Sequence, residues 1–197
     1  TYCNTNELAI SAIGFAWCWD DVYSPKGSAE VDPVYGCRWY GVSLNGPEGD
    51  KPWGLDAEDY SVTGNSVCLD TYLRATQEYI DYCTSNGYKT EVYFTTGPVD
   101  TYYNGERGYQ AYLKHERTRA YVRSDTDRLL FDYADILCYD DGKDTPSTLT
   151  WNGHTYPAIT ATNLGDGSIG HIGEAGALRL AKAMWWMLAR IAGWDGG

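Results

Sequence analysis

Cations are scarce in this chain: 15 Lys and Arg stand against 27 Asp and Glu over 197 residues, a formal net charge of −12. Nucleic acid and anionic membrane surfaces both require clustered positive charge, so the balance argues against either as a partner. Long apolar runs are also lacking. Nothing approaches the roughly 20 residues that span a bilayer. The apolar run from Ala183 to Ala189 is short and is flanked by Lys182 and Arg190. No secretory leader is visible, so the chain reads as mature or as never exported. The cysteines (Cys3, Cys18, Cys37, Cys68, Cys83 and Cys138) never form C-x-x-C, which argues against a zinc knuckle or a thioredoxin motif. Their even number leaves disulfides open, although Cys68 and Cys83 fall in a helical pattern where a small buried apolar residue would also serve.

What is present is an ordinary globular mixture, 43% apolar and 21% charged, long enough for one domain with a sizeable core. Phe occurs only 3 times, but there are 18 Tyr and 8 Trp. These residues join apolar area to a polar handle. They suit a carbohydrate-facing surface or a large packed interface, and they equally fill a core and its rim.

Periodicity organises the chain. Leu8 to Phe15 (LAISAIGF) reads as a buried strand. The stretch from about 17 to 66 is rich in Gly, Pro, Asp and Trp, with a short strand expected within Val34 to Ser43. Segments this long without strong elements are often functional inserts. Val67 to Asn86 has a helical stripe of Leu69, Tyr72, Leu73, Thr76, Tyr79, Ile80 and Cys83. Asn65 or Ser66 can cap it, and Gly87 can end it. A strand follows at Glu91 to Thr95, broken by Gly97-Pro98, and then a helix at Glu106 to Arg123. Leu129 to Tyr139 reads as mixed, with a short strand at Asp135 to Cys138. Trp151 to Thr160 reads as a hairpin around Asn152-Gly153. Gly173 to Ala192 is a closing helix with Ala177, Leu178, Ala181, Met184, Trp185, Leu188 and Ile191 on one face. Alternating helices and strands predict an α/β domain with a mainly parallel sheet flanked by helices. Tyr2-Cys3-Asn4-Thr5-Asn6 before the first strand echoes Tyr82-Cys83-Thr84-Ser85-Asn86, a helix end, before the second. By that analogy the chain starts at a helix end and is the C-terminal part of a larger domain.

The richest chemical constellation is Asp166-Gly167-Ser168-Ile169-Gly170-His171-Ile172-Gly173 ahead of the closing helix. A histidine in a Gly-rich loop at a helix start can act as a general base, since its ordinary pKa of about 6.5 suits proton transfer near neutrality. The competing reading is an exposed loop histidine. Thr63-Gly64-Asn65-Ser66-Val67 opens a helix, where Ser66 can serve as a nucleophile with helix-start amides stabilising an oxyanion. The same residue type at the same place serves equally well as a helix cap.

His171-Ile172-Gly173-Glu174-Ala175-Gly176-Ala177 resembles the last block of SGNH (GDSL-type) hydrolases, and Glu91 to Asp100 resembles their strand ending in a Pro-containing loop beside the cleft. The resemblance covers roughly residues 67 to 192. It implies a flavodoxin-like three-layer sandwich, a serine-type mechanism on acyl esters of carbohydrates or lipids, and a place outside the cytoplasm. It implies no cofactor and no metal. On this pattern His171 would be the base. The Asp expected three residues earlier is Ser168, so Asp166 is the orienting acid the chain offers. Gly64-Asn65-Ser66 resembles the nucleophile motif with Asn in place of Asp; Ser66, or a serine outside this chain, would attack. Gly64, Asn65, Trp17 and Asp100 are the candidate oxyanion and substrate contacts. The alternative function is a non-catalytic binding or self-assembling subunit, a homo-oligomer, on the same fold.

Other patterns weigh less. Gly165-x-Gly167-x-x-Gly170 matches a dinucleotide fingerprint by letter, but no strand and acidic residue follow as that motif requires. Asp140, Asp141 and Asp144 lack the EF-hand order and read as a solvated loop. His115 and His154 read as structural. Trp17, Trp19, Trp39 and Trp53 crowd the insert, where they would stack on sugar rings or form a small core of their own.

Overall fold

The computed structural model describes residues 5–14, 68–97, 105–168 and 172–196. Three parallel strands form the centre: β1 (Ala12–Gly14), β2 (Glu91–Thr95) and β3 (Leu129–Phe131), in the order β1-β2-β3. Helix α1 (Cys68–Ser85) precedes β2, and α2 (Glu106–Arg123) joins β2 to β3. A short α3 (Tyr133–Leu137) follows β3. An antiparallel hairpin of β4 (Thr148–Trp151) and β5 (His154–Pro157) comes next, then α4 (Ala161–Leu164) and α5 (Glu174–Ile191). The sequence expectation of an α/β fold with a parallel sheet and alternating helices holds. Among the described residues no helix is long and apolar enough to cross a membrane.

The period of two along β2 separates its faces. Phe94 points into a core with Leu69, Tyr72 and Leu73 of α1 and Val122 of α2. Each such side chain contributes about 2 kcal/mol by leaving water. Tyr93 points the other way, and its hydroxyl donates to Met184 Sδ of α5 at 3.7 Å. Helices α1 and α2 therefore cover one face of the sheet and α5 approaches the other. At the end of β2 the Tyr72 hydroxyl accepts from Thr95 N at 2.5 Å and lies 3.0 Å from Thr95 O, so one phenol serves both backbone groups.

Two expectations need correction. Of the strand expected over Leu8 to Phe15, the described residues form only Ala12–Gly14, Phe15 lies outside them, and Leu8 and Ile10 are 53% and 42% exposed. Its partner β2 begins at Glu91, which pairs with Ala12, so the apolar residues ahead of Ala12 have no strand beside them to extend the ladder. The strand expected at Asp135 to Cys138 is helical. Asp132 caps α3 by accepting from Asp135 N at 3.2 Å, and Ala134, Leu137 and Cys138 bury one helical stripe. A run this short carries both periods, and the cap decides between them. The strand of this region lies earlier, at β3. The hairpin turns at Asn152-Gly153 with φ of 47° and 80°, as the dipeptide predicts. The short strand expected within Val34 to Ser43, and the insert that contains it, lie outside the described residues.

Candidate active site at the carboxyl ends of the strands

Parallel α/β sheets place ligands beyond the carboxyl ends of their strands. Here those ends are Gly14, Thr95 and Phe131, followed by Thr96 after β2 and Asp132 after β3. Asp132 is fully engaged. It takes Arg119 Nε at 2.6 Å and Nη2 at 2.8 Å, and Thr96 Oγ1 at 2.9 Å. Glu116 takes Arg119 Nη1 at 2.7 Å. Burial opposes ionisation of Asp132, but the Arg119 bonds and charge outweigh it and hold the carboxyl below its usual range. With its oxygens held in this way, the pair ties α2 to the β3–α3 junction and is a fastening for the strand ends.

His115 lies one turn from Arg119 on α2. It is buried, and its Nε2 has no hydrogen-bond partner. Burial, reinforced by the Arg119 charge, pushes its pKa down to about 3, so the ring is neutral at physiological pH. A cavity of about 20 Å³ beside it, shared with Tyr112 and Tyr156, is about the size of one water. Burial likewise pushes the Cys138 thiol up to about 12, so it is an inert thiol and not a nucleophile. The sequence reads His115 as structural, and the structure buries it on α2.

The loop carrying the sequence-predicted acid is built by close backbone approach. Gly165, with φ of +54°, ends α4, and Gly173 caps α5; a Cβ on Gly165 would stand 3.0 Å from Gly173 Cα. Gly173 N donates to Asn163 O at 3.0 Å. Asn163 is buried and donates to Leu137 O and Tyr139 O, both at 2.9 Å. The loop between these glycines is therefore closed at its base and fixed to α3. Asp166 follows that base by one residue and His171 precedes it by two. Asp166 is exposed and accepts from Ser168 N at 2.9 Å, which lowers its carboxyl pKa. It is the one member of the sequence-predicted site that falls among the described residues. His171, Ser66, Gly64, Asn65, Trp17 and Asp100 lie outside them.

Two further sequence candidates, Asp141 and His154, have partners in the structure. Asp141 takes Arg179 Nη1 at 2.6 Å, joining the acidic loop to α5. His154 stacks on Tyr109 at 4.4 Å, in an aromatic cluster with Trp151 and Tyr156 that docks the hairpin on α2. Cys83 and Cys138 are free and buried. No protein-family model, curated protein or solved structure matches the chain.

Proposed function

We propose that this chain is an SGNH-like ester hydrolase domain, in whole or in its C-terminal part, acting outside the cytoplasm on an acylated carbohydrate. The observation that carries the reading is the Gly165–Gly173 loop, closed at its base in front of the last helix of a parallel α/β sheet. Asp166 and His171 are one and two residues in sequence from the glycines of that base. Asp166 is solvent-facing, and its bond from Ser168 N favours the charged form, the form that can accept from an imidazole N–H. His171 would take the proton of the attacking hydroxyl, and Ser66 is the nucleophile this chain itself offers. The attack forms an acyl-enzyme and releases the alcohol, which takes its proton from His171. Water, deprotonated by the same imidazole, then releases the acid.

The test is turnover of a soluble acetyl ester by the intact chain. His171→Ala is expected to lower kcat by about 10²–10⁴-fold, the usual contribution of a general base. Asp166→Asn is expected to lower it less, without changing the fold seen by circular dichroism. Turnover unaffected by either substitution contradicts the reading.

A second reading rests on a different observation. Trp185 and Trp186 on α5 are 67% and 55% exposed, and Leu178, Leu188 and Trp194 are exposed with them. Apolar surface gathered in this way marks interaction sites. It favours a binding or self-assembling subunit, with the same fold used without catalysis.

A further inference from the structure

We propose that the cavity between α5 and the sheet is an acyl-binding site, which takes the uncharged hydrocarbon chain of an ester. The ester bond rests on the hydrolase reading above, while the binding itself does not. The cavity measures about 370 Å³ and is lined by Gly14, Tyr93, Phe131, Tyr133, Ala181 and Met184 among others. That volume is within the range of small-molecule sites, and its position at the carboxyl ends of parallel strands is where such sites form.

The lining sets the chemistry. Among the described residues no Asp, Glu, Lys, Arg or His lines the cavity. The described lining offers a charged ligand no ion-pair partner. Aromatic rings and Thr95 form the sheet side, and Ala181, Leu180 and Met184 the helix side. Met184 is unbranched and adapts its shape to what packs against it. One polar group faces this space with only a weak acceptor to serve: the Tyr93 hydroxyl donates to Met184 Sδ at 3.7 Å. A carbonyl oxygen is the stronger acceptor and would take that proton. Burial raises the Tyr93 pKa, so the phenol remains a donor.

Position along α5 agrees. Ala181 is exposed, so the cavity opens to solvent on its side. It lies seven residues beyond Glu174, roughly 10 Å along the helix from the base of the Gly165–Gly173 loop. A medium-length acyl chain covers that distance. The sheet side depends on a missing side chain, because a Cβ on Gly14 would overlap the Tyr93 ring. Gly14 lets the ring lie flat against the end of β1.

The test is binding of octanamide, an uncharged acyl probe that resists esterases, to the intact chain by saturation-transfer NMR. Octanamide is expected to bind where acetamide does not. Ala181→Phe, which fills the mouth from an exposed helix position, is expected to weaken binding at least tenfold. Ala181→Leu is the milder second variant, and unchanged circular dichroism confirms the fold of each. No binding, or equal binding to wild type and both variants, overturns the proposal. Octanamide binding without turnover of any ester would keep the site and remove the hydrolase reading. Turnover of acetyl esters without octanamide binding would do the reverse.

Discussion

His115 shows how much one buried side chain can set. Its ring is neutral in the folded protein because burial and Arg119 disfavour the imidazolium, with a pKa of about 3. In the unfolded chain an ordinary histidine titrates near 6.5. The unfolded state therefore binds a proton that the folded state refuses, and stability falls as pH drops below about 6.5. The loss continues until the folded pKa is reached. While only the unfolded form is protonated, the slope approaches about 1.4 kcal/mol per pH unit. Urea denaturation between pH 7 and pH 4 is expected to show this slope in the wild type and to lose it in His115→Gln. Identical pH profiles would mean that His115 is not held neutral. Asp132 acts lower on the scale: its depressed carboxyl stabilises above the ordinary carboxylate range and stops doing so as acid protonates it.

At the scale of elements, the last helix is positioned by glycine. A Cβ on Gly176 would come 2.4 Å from Asn163 O, so α4 and α5 meet backbone to backbone at that point. Gly176→Ala is expected to cost about 1–3 kcal/mol in chemical denaturation, as overpacking usually does. A neutral or stabilising result would mean that the two helices separate freely. The elements themselves were largely legible. The expected β2 and α2 coincide with the observed spans, and α1 and α5 differ by a residue or so at their ends. The apolar stripes of α1 and α5 are long enough to choose one period, and Gly87, at a φ of 69°, ends α1 as expected. Short segments were not legible. Tyr133–Leu137 has too few residues to separate two periods, and its helix depends on a cap held by Arg119, thirteen residues away in sequence. The extent of β1 depended on where β2 begins, which its own composition does not encode. For the candidate site, the glycines around Asp166 could be read as a loop, but their closure on Asn163 could not.

For the whole molecule, the sheet has α1 and α2 on one face and α5 on the other, and α5 turns much of its apolar surface outward. The closing stripe expected on one side is split: Met184 meets Tyr93, while Leu178, Trp185 and Leu188 are exposed. Exposed Trp185 and Trp186 predict association between copies of the chain. Sedimentation velocity is expected to show concentration-dependent self-association that the double substitution Trp185→Glu, Trp186→Glu removes. A monomer at all concentrations would count against the assembly reading.

The central claim, a serine hydrolase whose base is His171, is tested most directly by fluorophosphonate labelling of the intact chain, read by mass and peptide mapping. A single adduct on Ser66 that disappears in His171→Ala is expected. An adduct that persists in His171→Ala would contradict that claim, and no adduct would rule out Ser66 as the nucleophile and leave either a nucleophile outside this chain or a fold used for binding or assembly.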